Sequence, residues 1–206
     1  METHEVQALA SVFAALGTIS VAILAIWGER IRLAVAGPKI TLRLRDEAGS
    51  LTERRDKKKE VYWHLELLNH RRWSPVKNIR LLIKGIQKKR PDDTFFPEHL
   101  PVPVQLRWAF PEFHEISPTV VDNDISDLGS VVEGDNRFEL HPYVVPNNFT
   151  GFVRAGQSMR VSIGAVADNY ASKQPLVLEI SWDGQWTDNM EEMRKHLVIK
   201  QIQSLV

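Results

Sequence analysis

The sequence contains no cysteine, which removes disulfides, thiolate metal sites and a cysteine nucleophile from consideration. It carries no net charge, with 26 basic and 26 acidic residues. No glycine-rich phosphate loop is present: Gly151, Gly156 and Gly164 are too far apart, and no Gly-Lys-Ser/Thr exists. No Gly-x-Ser-x-Gly elbow activates a serine. The seven histidines (His4, His64, His70, His99, His114, His141 and His196) never fall in His-x-His or His-Glu-x-x-His spacing, so no zinc site is encoded locally. The run Asp122-Asn123-Asp124-Ile125-Ser126-Asp127 superficially resembles a calcium loop. Its sixth position is Asp127 where an EF-hand needs glycine, although Glu133 falls at the twelfth. Neither a metal nor a cofactor is expected. A catalytic reading would need two of His64, His114, His141 and Asp124 to meet in one pocket. There is no internal repeat and no low-complexity tract.

What the chain does have is one long uncharged run. Residues Ala8 to Trp27 read ALASVFAALGTISVAILAIW. Twenty helical residues span roughly 30 Å, the thickness of a bilayer's hydrocarbon core. The strongest polar groups inside it are the hydroxyls of Ser11, Thr18 and Ser20, which can bond back to the helix's own carbonyls. Trp27 stands at the end, where an indole prefers the interface. Two other readings compete. A cleaved signal peptide should begin with a basic region, but METHE carries two acids and no Lys or Arg, and Ala34-Val35-Ala36 is separated from the apolar run by charges. A core helix of a soluble domain should show a polar face, and this run has none. The expected organisation is therefore a transmembrane anchor with its juxtamembrane segment over 1–37, then a globular domain over 38–206.

Charge sets the expected orientation. Arg30, Arg32, Lys39, Arg43 and Arg45 follow the run, and nothing basic precedes it. The positive-inside rule places the N-terminus outside and the following domain in the cytoplasm, at a plasma (bacterial inner) membrane. Residues 28–90 hold 18 Lys/Arg against 7 Asp/Glu, whereas 91–190 hold 5 against 15. The cluster Arg54, Arg55, Lys57, Lys58 and Lys59 belongs to the basic half, either as a solvated hairpin loop or as part of a surface toward anionic headgroups. Small residues at Ala10, Ala14, Thr18 and Ala22 form a stripe along which two helices could associate into a homo-oligomer, although such spacing also arises by chance.

After Gly37-Pro38 the period changes from helical to two. Lys39 to Arg45 alternates apolar and polar residues, as a half-buried strand does. Residues 46–59 read as a loop. Further strands are expected over 61–68, 76–86, 104–108, 128–132, 138–144, 158–167 and 176–182, with an irregular proline-rich stretch at 87–103 and a loop with a brief extension at 119–121 over 111–124. Asp183-Gly184 reads as a hairpin-type turn. The tail is open between a helix capped by Asp188 with Glu191 and a strand over 196–202. Many short strands without alternating helices predict a mainly β domain, an antiparallel sandwich or small barrel.

The segment VYWHLELLN (61–69), a short loop, then SPVKNIRL (74–81) resembles the B–C strands of immunoglobulin-like adhesion and surface domains, and the layout resembles bacterial single-pass membrane-anchored proteins. The likeness covers about 30 residues and implies a sandwich that binds or spaces other molecules rather than an active site. Trp73, Trp108, Trp182 and Trp186 lie in or near turns, where they either form a binding surface or pack in the core. The expected function is a membrane-anchored, non-enzymatic binding or scaffolding module whose partners are anionic lipid headgroups and a protein facing the acidic half. The alternative is a ligand-gated membrane effector, for example in bacterial defence, whose sensor domain drives helix clustering. Nucleic acid is a weaker reading of the basic half, because apposition to a membrane explains the same charges.

Overall fold

Most of the expected strands are present in the structure, a computed structural model that describes residues 3–109 and 116–202. The chain divides into two compact units, Met1–Gly37 and Pro38–Val206.

The first unit is a single helix, α1 (Thr3–Ala36). It stops where Gly37-Pro38 denies it further hydrogen bonds. The stretch Ser11–Gly28 is long and apolar enough to cross a membrane. Every residue from Ser11 to Trp27 is exposed, whereas a helix packed in a protein core would be hidden. The hydroxyls within it bond back one turn: Ser11 to the carbonyl of Gln7 at 3.0 Å, Thr18 to Ala14 at 2.9 Å and Ser20 to Leu16 at 2.8 Å.

The second unit is mainly β, with two antiparallel sheets, one of them curled into a half-barrel. The first sheet holds β1 (Ile40–Leu44), β3 (Lys59–Asn69), β7 (Asn123–Val132), β8 (Arg137–Leu140) and β9 (Phe152–Arg154), in that order. Strand β2 (Ser50–Glu53) pairs with the half of β3 that β1 leaves free. The second sheet is ordered β13 (Leu197–Ile202), β12 (Leu176–Trp182), β10 (Gln157–Ala167), β4 (Arg80–Lys89) and β5 (Phe95–Pro97). Two short strands join it: β11 (Tyr170–Ala171) on β10, and β6 (Val104–Gln105) on β4.

Alternation explains the long strands. In β3, Val61, Trp63, Leu65 and Leu67 are fully buried while Tyr62, His64, Glu66 and Leu68 point the other way. The buried positions of β3, β4, β10 and β12 join one hydrophobic cluster to which both sheets contribute. Segment 104–109 is hydrogen-bonded to both sheets. Leu106 N–H donates to Leu81 of β4, Ala109 N–H donates to Ile125 of β7, and Asp127 N–H donates to the Arg107 carbonyl.

Several boundaries differ from expectation. The expected loop 46–59 contains β2, whose four residues are all exposed, so only its ladder to β3 makes it a strand. The strand expected from Val76 starts at Arg80, because Asn78 takes a left-handed conformation (φ 53°) and Val76 bridges Val120 instead. The acidic run at 122–127 is not a loop: β7 begins at Asn123. Asp183-Gly184 does not close a hairpin, since the next strand to pair with β12, β13, is reached through helix α2 (Met190–His196). The tail is thus helix and then strand. Its N-cap is Asn189, whose side chain accepts from the N–H groups of Glu191 and Glu192, and not Asp188, which pairs with Lys59.

Candidate functional site: a polar network on β3 and β7

The polar face of β3 meets that of β7 at a β-bulge. Trp63 pairs with Gly129 but His64 pairs with Asp127, leaving Leu128 as the extra residue. Leu128 fills the core while Asp127, only 5% exposed, is aimed at His64. His64 Nδ1 lies 3.1 Å from Asp127 Oδ1, and Arg107 donates to Oδ2 from Nε at 3.1 Å and from a terminal nitrogen at 2.9 Å. Burial by itself would raise the Asp127 pKa. The hydrogen bonds from its histidine and arginine neighbours outweigh burial and hold the carboxyl well below the usual carboxylate range.

The network continues along the sheet. Arg107 donates to His141 Nδ1 at 3.2 Å, and Ser130 Oγ lies 2.9 Å from His141 Nε2 and 2.5 Å from Glu60 Oε1. Arg54 reaches the other oxygen of Glu60 at 3.4 Å. Tyr62 stacks on His64 and sets its edge against His141. Burial, with the charge of Glu60, pushes the Tyr62 phenol up to about 12.

Ser130, His141 and Asp127 invite comparison with a nucleophilic triad, and the donor directions argue against it. Glu60 can only accept, so the Ser130 hydroxyl donates to Glu60. His141 then donates from Nε2 to Ser130 and accepts at Nδ1 from Arg107. In a triad the serine donates to the imidazole, and the imidazole donates to the aspartate. Here the serine–imidazole direction is reversed, and the imidazole Nδ1 accepts from Arg107 in place of donating to Asp127. His141 Nδ1 is 3.9 Å from Asp127 Oδ2, beyond hydrogen-bond reach, and Ser130 is buried. The chemistry such an arrangement performs is to satisfy buried polar atoms and pin the register of two strands across a bulge.

Of the four residues named from the sequence, His64 and His141 are brought into one network, around Asp127 and not Asp124. His114 lies outside the described residues. Among the described residues no group of three or more His, Cys, Asp or Glu could hold a metal ion. The sequence signal that could have found this network is the alternation itself, since Glu60, Tyr62, His64 and Glu66 share one face of one strand.

The tryptophans do not form one surface. Trp108 and Trp182 are 3% and 1% exposed and belong to the core, so these two cannot present a binding face. Trp186 packs half-buried against that core, and Trp73, 67% exposed, is the one on the surface. The residues expected to face lipid separate into two sets. His70 N–H donates to the Lys39 carbonyl, so Lys39 sits at the end of β3 near Asn69. Arg54, Arg55, Lys57, Lys58 and Lys59 form the β2–β3 turn at the opposite end, a strand length of roughly 33 Å away. Arg54 is engaged by Asp56 and Glu60, and Lys59 by Asp188. On α1, Trp27 and Arg32 are exposed, as are Ala14, Thr18 and Ala22 of the small-residue stripe. The side chains of Ala10 and Arg30 lie outside the described set.

No protein-family model matches this sequence, and comparison with curated proteins finds no relative.

Proposed function

We propose that this protein is a membrane-anchored, non-enzymatic binding or scaffolding module, whose N-terminal helix crosses a plasma (bacterial-type inner) membrane and whose sandwich-like β unit lies at the cytoplasmic face. The observation that carries this reading is the exposed, uncharged stretch Ser11–Gly28 of α1, followed by basic residues and none before it. The reversed donor directions around Ser130 support the non-enzymatic part.

In this reading the residues that meet headgroups are those nearest in the chain to the end of α1. Lys39 is two residues past Gly37, so the Lys39 end of the β unit is tied close to the end of α1 by the chain alone. That end carries the loop with Arg71, Arg72 and the exposed Trp73, and the Arg71 guanidinium lies 5.5 Å from the Trp73 ring. Tryptophan with arginine suits the interfacial zone. The 54–59 turn, roughly 33 Å along β3, is several times the Debye length of about 8 Å from that end. It feels the headgroups only when β3 lies along the surface.

The test is fractionation with a charge placed in the helix. Wild type should stay with membranes through alkaline carbonate, and Val21→Arg, costing about 2.5–3.5 kcal/mol at mid-membrane, should shift protein to the soluble fraction. Protease added outside sealed cells should spare residues 38–206. Wild-type protein free in solution, or digestion of the β unit from outside, overturns the reading.

A second reading, the ligand-gated effector, is favoured by one observation: a cleft of about 500 Å³ on the second sheet, lined by Lys84, Arg160, Ser162 and Glu98 among others. Overexpression of the full chain should then depolarise cells, and removal of residues 1–30 should abolish the effect. Unchanged membrane potential ends that reading.

A further inference from the structure

Further along β4 from the first cleft, two cations, Lys88 and Arg154, share a second cleft whose one lining carboxylate, Glu98, closes an ion pair with neither. Lys88 lies on β4 two residues after the buried Ile86 and on the same face of the strand, so its side chain enters from the core side. Its ammonium donates to the carbonyl of Phe152 on β9, a strand of the first sheet, and stands 4.6 Å from the Phe152 ring. Arg154, two residues on, reaches the same ring at 5.4 Å. The turn 154–157, with Gly156 at φ 75°, carries the chain from β9 to β10 and holds Arg154 beside Lys88. The cleft, about 250 Å³, is lined by Lys88, Lys89, Arg154, Glu98 and the polar side chains of Thr150, Gln157 and Ser158.

The charges around it do not balance. Lys89 is paired with Asp93, and Arg137, which also approaches Phe152, is paired with Glu139. Among the described residues neither Lys88 nor Arg154 has a carboxylate within ion-pair distance; Glu98 lines the cleft without closing on either. A half-buried ammonium beside a second cation is electrostatically unfavourable, and an anion bound between them would relieve it. Hydroxyl and amide donors around it complete what an oxyanion needs.

We propose that the Lys88–Arg154 cleft binds a phosphate or phosphomonoester group. Its volume is below the roughly 300–1,000 Å³ of sites for drug-sized ligands, which suits one headgroup-sized anion. The same chemistry has two sources, a soluble phosphate compound or the headgroup of an anionic phospholipid. Burial, offset in part by Glu98 and reinforced by Arg154, brings the Lys88 pKa down to about 8. The groups facing it are Glu98, Arg154, Lys89 on its own strand and Arg137 on β8, with Gln157 and Ser158 from β10. Lys88 loses its charge as pH rises through about 8, so anion affinity falls there.

The experiment titrates full-length protein in uncharged detergent micelles with inorganic phosphate by calorimetry, with chloride at matched ionic strength as control. Saturable binding is expected at pH 7. Lys88→Met and Arg154→Gln should each weaken it at least about tenfold, since a lost charge-assisted hydrogen bond removes about 1.5–3 kcal/mol. Arg154 is exposed, so its variant decides the matter if Lys88→Met does not fold. A parallel arm uses phosphatidylcholine nanodiscs with and without phosphatidic acid. Arg154-dependent binding to phosphatidic acid in the absence of phosphate binding supports the site and assigns the headgroup as its source. Binding that both variants leave intact, or no saturable binding in either arm, overturns the proposal. Because the micelle arm needs no membrane, its failure is distinguishable from failure of the anchor.

Discussion

Replacing Asp127 with asparagine tests the network on β3 and β7 most directly. The shape is kept and the charge is lost. Asp127 is almost wholly buried and accepts from His64 at 3.1 Å and from two nitrogens of Arg107. Breaking a fully buried pair costs about 3–5 kcal/mol. The Arg107 side chain is 37% exposed, so water recovers part of that interaction. Asn also keeps one acceptor oxygen. A loss of about 2 kcal/mol at pH 7 follows, which for a domain of this size lowers Tm by about 4–8 °C. The pH dependence is the sharper test. The folded-state pKa of Asp127 is depressed below its ordinary value of 3.8. Its stabilisation is therefore present in full above that ordinary value and is lost as pH falls through the folded-state value. The gap between wild type and Asp127→Asn should shrink as the solution is acidified below the ordinary carboxylate value. Urea unfolding of both proteins in micelles, followed by tryptophan fluorescence, measures the gap. An equal gap at pH 7 and pH 3, or a gap under about 0.5 kcal/mol at pH 7, would refute the reasoning.

Gly129→Ala should destabilise by about 1–3 kcal/mol or prevent folding, because a Cβ there would stand 2.2 Å from the Glu139 carbonyl oxygen and 2.5 Å from the Phe138 ring. A Tm within 1 °C of wild type, a margin well below the roughly 2–4 °C expected per kcal/mol, would contradict the close approach of β7 and β8. Asn189→Ala removes the N-cap of α2 and should cost about 1 kcal/mol in urea unfolding; no change in midpoint would mean that α2 is held by Met193 and β13 alone.

The long strands were legible because each carries its burial in its own alternation. KITLRLR and VYWHLELL announce which side chains turn inward before any partner is known. The short strands were not. β2 is exposed at all four positions, and β5, β6, β9 and β11 are two or three residues long, too short to display a period. Trp108 and Trp182 looked like turn residues because the sequence marks the turns beside them and not the core above them. The basic residues looked like one surface because they are close in sequence, yet β3 separates Lys39 from the 54–59 turn by its full length.

The sequence alone determined that one helix is long and apolar enough to cross a membrane and that a β-rich unit follows it. Both depend on local composition and on periods of 3.6 and 2, which a chain carries without knowing its contacts. Tertiary structure decided the rest. Asp127 meets His64 only because a bulge skips Leu128, and Lys88 meets Arg154 only because a turn brings the first sheet onto the second. Such meetings join residues more than 60 positions apart, and no pattern within either segment encodes the partner.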